Sequence, residues 1–570
     1  MEKIYYNIRK SDFTYVVSET EHDDIKFVNI KYHTDKPTVP SNFSVWFFLP
    51  CIDAYSLWSP NCATQRVLSP YGFVTNIESG VANGAPVASL ISKSGINRLT
   101  VAVDDVATAS NIKICVCEDN QSVLFDITMF TEISHPITDY EMTLRLDQTN
   151  ARYEDVLSNI EKWWSEKYPA CKIPAAAREP VFSTWYNYHQ KINDEELLSQ
   201  CETAIKYAMK TIIIDDGWQT GDNNKGYSYC GDWQPEPSKI KDMKTFVERI
   251  HDMGMKVMLW YSVPYVGENS ENYSKFEGKF LNKPNGWGIL DPRFPECRKF
   301  TVDLYKNAVL NWGLDGLKLD FIDSFKLTEY SSKKYDKMDY VSLEEAISAL
   351  LNEIGETLKS INPDFIIEFR QKYIGPAVRQ VGNMLRVGDC PCSSEQNKLE
   401  TVNIRLIAGK TAIHSDMIMW HKNDTVESAA LQMISALYSV PQISVKMDDL
   451  TVEQQKMLNF YLKFWINNKE ILLDGKLTAN NPENLYSLIK SELDGKAVIT
   501  AYSQSDVDIT GLKSGSIVNA TGENRIIIST DTEIVYSVYD CIGNLITENE
   551  KTIGIKKLFV PKSGMICFTA

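Results

Sequence analysis

Two apolar runs in this sequence stop on acidic residues at places where chemistry could be done. Leu317-Lys318-Leu319 ends on Asp320, and Met384-Leu385-Arg386-Val387-Gly388 ends on Asp389. Paired carboxylates are what cleavage of a glycosidic bond requires: one attacks the anomeric carbon while the other protonates the departing oxygen. Lys318 sharpens the assignment, because residues two apart on a strand share a face and an ammonium beside Asp320 keeps it ionised, as a nucleophile must be. Asp320 is therefore the expected nucleophile. Asp389 is the expected acid/base, with a raised pKa, and Glu368 in Ile367-Glu368-Phe369-Arg370 and Asp416 in His414-Ser415-Asp416 compete for that role.

A third run, Thr211-Ile212-Ile213-Ile214, stops on Asp215-Asp216, followed by Gly217-Trp218. Carboxylates accept hydrogen bonds from sugar hydroxyls, and an indole offers an apolar sugar face something to pack on. Trp185, Trp233 and Trp260 fall near presumed strand ends or the loops after them. With Asp215, Asp216, Lys318, Glu368, Arg370, Arg386 and Asp416 they make up the substrate-binding candidates. Taken singly, an acidic pair reads as a helix cap and a tryptophan as core. Their order along one alternating pattern favours a shared site.

That pattern is strand, helix, strand, helix, the signature of a parallel α/β unit. The strand candidates are Val181–Tyr186, Thr211–Ile214, Lys256–Trp260, Gly316–Leu319, Asp364–Phe369, Asn383–Val387, Thr411–His414 and Pro441–Val445. Eight is the number of a (β/α)₈ TIM barrel, in which catalytic groups sit where the strands end. Amphipathic segments separate them, such as Asp194–Met209, whose start Asn193-Asp194-Glu195-Glu196 sets caps and acidic groups at the positive end of the helix dipole.

The flanks have another rhythm. Residues 1–150 carry short alternating segments such as Ser44–Leu49 and Asn111–Cys117 between turn residues, which reads as a β-sandwich. A helical linker over 151–175 leads into the barrel at 176–474. Beyond 475, runs such as Lys496–Tyr502 and Glu533–Val538 read as a small antiparallel C-terminal β-domain.

The chain has 570 residues and a net charge of −16, without a Lys/Arg-rich tract, which argues against a nucleic-acid partner. No apolar run approaches membrane-spanning length, and Met1-Glu2-Lys3-Ile4-Tyr5-Tyr6 lacks the pattern of a secretory leader, so the expected location is cytoplasmic. Twelve cysteines are too sparse for a disulfide scaffold, and Cys390-Pro391-Cys392 lacks zinc-site spacing. The seven histidines form no His-x-His or His-x-x-x-His pair. Neither metal nor cofactor is implied, and the oligomeric state stays open.

Ser183-Thr184-Trp185-Tyr186-Asn187-Tyr188, Ile213-Ile214-Asp215-Asp216-Gly217-Trp218-Gln219, Gly231-Asp232-Trp233, Gly254–Trp260 and Gly313–Asp320 together resemble the catalytic domain of glycoside hydrolase family 36, the melibiase-type α-galactosidases. The resemblance covers residues from about 180 to 450. It implies Asp320 as nucleophile, Asp389 as acid/base, Lys318, Asp215 and Asp216 on the galactosyl hydroxyls, and Trp185 and Trp260 lining the sugar. It also implies an N-terminal β-supersandwich, a C-terminal β-domain and no cofactor. Asp216-Gly217-Trp218-Gln219 and the segment His414–His421 look closer to the branch holding raffinose synthases and alkaline α-galactosidases, which includes transferases. Two departures touch sugar-binding positions: Glu368-Phe369-Arg370-Gln371 replaces a Gly-rich segment, and Gly388 precedes Asp389 where Ser is common. The implied activity is retaining α-galactoside hydrolysis; transfer to a sugar acceptor, a related α-glycosidase (an α-N-acetylgalactosaminidase or α-glucosidase) and a non-catalytic sugar-binding barrel are the alternatives.

Overall fold

The computed structural model describes residues 3–7, 13–60 and 66–570; Met1 and Glu2, on which the leader reading partly rests, lie outside it. At its centre eight parallel strands close into a barrel: β1 (Val181–Ser183), β2 (Thr211–Ile214), β3 (Lys256–Ser262), β4 (Gly316–Asp320), β5 (Ile366–Arg370), β6 (Met384–Arg386), β7 (Ala412–Ile418) and β8 (Val440–Ile443). β1 pairs with β2 on one side and β8 on the other, which closes the ring.

Side chains alternate in and out along each strand, so the barrel interior is built in layers. At its floor Val181, Ile213, Met258, Ile366, Met384 and Ala412 form an apolar cluster of their own, sealed from below by Ala177. Gly316 stands at that level because a Cβ there would meet the Ile366 carbonyl at 2.6 Å. Two residues further along, the same faces turn polar: Lys318, Glu368, Arg386 and His414. The next step brings Asp320, Arg370 and Asp416 to the mouth.

Two of the strands end more than two residues from the reading of the sequence. β1 stops at Ser183, and Trp185–Tyr188 turns into a short helix. There the Tyr186 backbone N–H donates to Ser444 Oγ at 3.1 Å rather than to a neighbouring strand. β7 runs on to Ile418 through a register shift against β8 between His414 and Met417, which places Asp416 inside the strand.

Before the barrel, two antiparallel sheets face each other. Phe43–Pro50, Ser110–Cys117 and Ser122–Met129 belong to the five-stranded one, and Ile25–Thr38, Asn97–Val103 and Ile137–Asp147 to the six-stranded one. Alternate residues such as Val45, Phe47 and Leu49 point into their shared core, with Phe47 stacked on Phe125 at 5.5 Å. The helix Tyr153–Lys167 ties the parts together: Trp164 Nε1 donates to the Val103 carbonyl, Tyr153 Oη to the Ala479 carbonyl, and Glu161 accepts from Arg379.

The final sheet, beginning at Lys476–Asn480, has eight strands and is mixed, which corrects the antiparallel expectation. Lys496–Ala501 pairs in parallel with Ser514–Asn519, and Asp506–Asp508 with Arg525–Tyr539. Short alternating runs do not disclose strand direction, because alternation is the same in both pairings. Among the described residues no helix is long and apolar enough to cross a membrane.

Candidate active site

The mouth of the barrel gathers most of the candidates. Asp320 ends β4, and its Oδ1 accepts from the Phe321 backbone N–H at 2.8 Å, from Arg370 Nε at 2.7 Å and from Tyr373 Oη at 2.5 Å. Oδ2 accepts from Trp260 Nε1 at 3.0 Å. Burial alone would raise this carboxyl, but the Arg370 guanidinium, the Lys318 ammonium and the two side-chain donors overcome it and hold the group well below the usual carboxylate range.

Lys318, two residues earlier on the same face, donates to Asp215 Oδ2 at 2.5 Å, with both side chains about 5% exposed. Asp215 is set by the Thr184 hydroxyl, which accepts from its backbone N–H at 3.0 Å. Asp216 points elsewhere. Its oxygens accept from the Gln190 and Gln219 amides, each at 2.7 Å, and burial, helped by Asp215, pushes its carboxyl up to about 6 in spite of those bonds.

A second charged cluster forms around Arg386 on β6, which is fully buried. Its Nη1 donates to Asp416 Oδ1, its Nη2 to Asp389 Oδ1 at 2.8 Å, and its Nε lies 3.7 Å from Glu368 Oε1. The three acid/base candidates thus share one guanidinium, and exposure separates them. Asp416 is buried, with Oδ2 accepting from Tyr186 Oη at 2.9 Å and Cys390 N at 2.7 Å. Glu368 is buried below it and accepts from the Gln442 amide. Asp389, three residues past β6, has a side chain 53% exposed.

The raised pKa expected of Asp389 is absent. Partial burial pushes the carboxyl up, but Arg386 above all, with Lys318 and Arg370, holds it below the ordinary value. Asp416 and Glu368 carry the raised values instead, both from burial, which Arg386 offsets only partly at Asp416, and Lys318 with Arg386 only partly at Glu368.

The tryptophans divide. Trp260 sits on β3 with its N–H on Asp320. Trp185 stands edge-on to His189, with ring centroids 4.9 Å apart, under the Lys225 ammonium. Trp233 lies behind Trp260, 5.8 Å from it and 4.7 Å from Tyr261 by ring centroids.

Residues that the sequence did not single out include Tyr373, Tyr186, Gln190 and Gln442. Tyr186 and Gln442 lie in strand candidates, but the residues they meet, Asp416 and Glu368, stand on other strands, so these roles appear only when the barrel closes. Among the described residues no group of three or more His, Cys, Asp or Glu side chains gathers as metal ligands would, and Cys390 and Cys392 are free thiols.

Residues 167–405 match the melibiase family model. That region of the chain is similar to the melibiase family. The match ends before β7 and β8, so Asp416 and Gln442 lie outside it. A stretch of 167 residues is 25% identical to the bifunctional α-galactosidase/sucrose kinase AgaSK of Mediterraneibacter gnavus, covering 28% of this chain and 18% of that protein. The matched stretches span only 15% to 18% of the first curated relatives, far less than those relatives' length.

The crystal structure of the α-galactosidase from Lactobacillus brevis superposes over 100% of this chain and 81% of its own, with TM-score 0.68 at 13% identity. That of the glycoside hydrolase family 36 α-galactosidase AgaA from Geobacillus stearothermophilus, in complex with raffinose, covers 98% of this chain and 81% of its own, with TM-score 0.67 at 12% identity. At such identities the likeness is one of fold alone.

Proposed function

We propose that this protein is a melibiase-type retaining α-galactosidase that removes terminal α-galactosyl units from oligosaccharides by double displacement. The observation that carries the reading is the state of Asp320, a buried carboxylate kept ionised by Arg370 and Lys318 at the mouth of the barrel. Oδ1 is saturated by its three donors, whereas Oδ2 accepts from Trp260 alone and keeps a lone pair for the anomeric carbon. Attack by Oδ2 forms the glycosyl ester as the bond to the leaving oxygen breaks. Asp389 gives that oxygen its proton, then takes one from the water that hydrolyses the ester.

To hold a proton, Asp389 must loosen its contact with Arg386. That cation has Asp416 as a second acceptor already in place. Asp215, held by Lys318 at the mouth, takes the galactosyl hydroxyls, while Asp216, engaged by Gln190 and Gln219, positions the loop behind it. The relatives named α-galactosidase and the raffinose-bound neighbour support galactose as the sugar.

The test is a screen of aryl α-galactoside, α-glucoside and α-N-acetylgalactosaminide, with the anomer of the first-released sugar followed by NMR. Preferred turnover of the galactoside with release of the α-anomer is expected. Release of the β-anomer would overturn the double displacement, and preference for another glycoside would overturn the sugar assignment.

A further inference from the structure

Outside the barrel wall, the loop carrying Trp233 and the helix Pro295–Trp312 enclose a cleft of about 310 Å³ whose lining includes none of the groups that serve Asp320 or Asp389. Its lining divides into two stripes. Phe300, Leu304, Ala308 and Trp312 recur every four residues along one side of the helix, and Asp303, Asn307 and Asn311 run beside them. Asn307, Asn311 and Gln234 are exposed at the rim, Phe300 and Trp312 are half-buried in the walls, and Trp233 is buried behind them.

The backbone at Trp233 adds an independent sign. Its φ of 51° lies in the left-handed region, which costs a bulky residue energy and persists only where the surroundings impose it. Here they do: the indole packs on Trp218, Trp260 and Tyr261, while Asp232 accepts from the Glu271 and Asn272 backbone N–H groups and so pins the loop.

We propose that this cleft is a second glycan-binding site, which holds a sugar unit of the oligosaccharides whose hydrolysis is proposed above and therefore rests on that reading. Aromatic and aliphatic walls suit the apolar faces of a pyranose, and carboxamides offer a donor and an acceptor each, as hydroxyls require. The charged groups of the lining are engaged, Asp232 by backbone N–H groups and Asp303 by Lys299, so the cleft suits a neutral polyol rather than an ion. The volume stands at the small end of the range for ligand sites, which fits a single sugar unit better than a long chain. Trp233 separates this cleft from Trp260, whose N–H is on Asp320, so occupancy of the cleft is felt one aromatic ring from the nucleophile.

The experiment titrates raffinose into the full-length Asp320→Asn protein by calorimetry, with and without Asn307→Ala and Asn311→Ala together. Both asparagines are exposed, so folding is preserved. Two binding events are expected, one of them weakened at least about tenfold by the double substitution and the other unchanged. In the otherwise wild-type protein the double substitution should leave aryl α-galactoside hydrolysis unaltered. A single binding event, or a second one indifferent to the asparagines, overturns the cleft. Loss of all aryl α-galactoside turnover in the wild type would overturn the activity reading instead; the cleft is then judged by whether raffinose binding to the wild type depends on Asn307 and Asn311.

Discussion

Asp320 shows how one residue can be both chemistry and structure. A carboxylate at a strand end need not matter for folding, yet Asp320 is 6% exposed and accepts four hydrogen bonds. Asp320→Asn removes the counter-charge of Arg370 but keeps an acceptor for Arg370 and Tyr373, and should lower kcat/KM by about 10⁴-fold with a moderate loss of thermal stability. Asp320→Ala should match that loss of activity and destabilise further, by about 3–5 kcal/mol, because Arg370 is left with neither counter-charge nor acceptor. Melting temperatures of both variants at the wild-type value would show that the ion pair is not structural, and residual turnover near the wild-type rate would remove Asp320 from the mechanism.

At Asp389 the reading of position stands apart from the reading of ionisation. Being the exposed member of the three carboxylates on Arg386, Asp389→Ala should slow poor leaving groups by about 10²–10⁴-fold and activated aryl galactosides far less, with azide restoring part of the rate. The same leaving-group pattern in Asp416→Ala, with Asp389→Ala near normal, would move the role. Lys318 and Asp320 were legible because period-two spacing puts them on one face. The sharing of Arg386 was not, since it joins β5, β6 and β7 across the barrel and leaves no local trace.

At the scale of elements, the barrel interior changes from apolar floor to polar middle within one side-chain layer, and the middle must satisfy itself without water. His414 shows how. Its Nε2 donates to the Ala177 carbonyl at 2.7 Å and its Nδ1 accepts from the Gln442 amide at 3.3 Å, an arrangement that needs the neutral ring. Burial, with Arg386 nearby, accordingly depresses the imidazole to about 4. Between pH 6.5 and 4 the unfolded chain takes up a proton there that the native barrel refuses, so this group's contribution to stability is lost as pH falls through that window. The loss amounts to at most about 3 kcal/mol. His414→Gln keeps a donor and an acceptor and should flatten the fall; comparing urea midpoints of variant and wild type at pH 7 and 4.5 checks it, and an unchanged pH slope would exclude the histidine. The sequence marked all eight barrel strands by their apolar runs. It missed the end of β1, where aromatic residues of high strand propensity wind into a helical turn, and the length of β7, whose register shift depends on its partner.

At the scale of the whole molecule, the mouth depends on parts of the chain far from the barrel. Gln371, next to Arg370, donates through Nε2 to the Pro60 carbonyl of the sandwich, and the Gly84 N–H donates to the Lys372 carbonyl at 2.6 Å. The loop that presents Arg370 and Tyr373 to Asp320 is therefore held from the N-terminal side. Nearby, the Tyr486 hydroxyl, from the C-terminal part, accepts from Trp58 Nε1 and Arg66 Nη1, both at 2.9 Å, and donates to Asn403 of the barrel at 2.7 Å. One buried hydroxyl thus joins three parts of the fold, and removing it strands donors that no water reaches. Tyr486→Phe preserves the ring and should cost about 1–3 kcal/mol. In a protein of several domains that loss need not spread evenly. The earliest thermal transition should therefore fall while later ones hold, and protease should open the chain first near residues 58–85. If sandwich and barrel instead melt as before, with no change in cleavage, the junction is packing alone, and the grip of the sandwich on the Arg370 loop must come from Pro60 and Gly84.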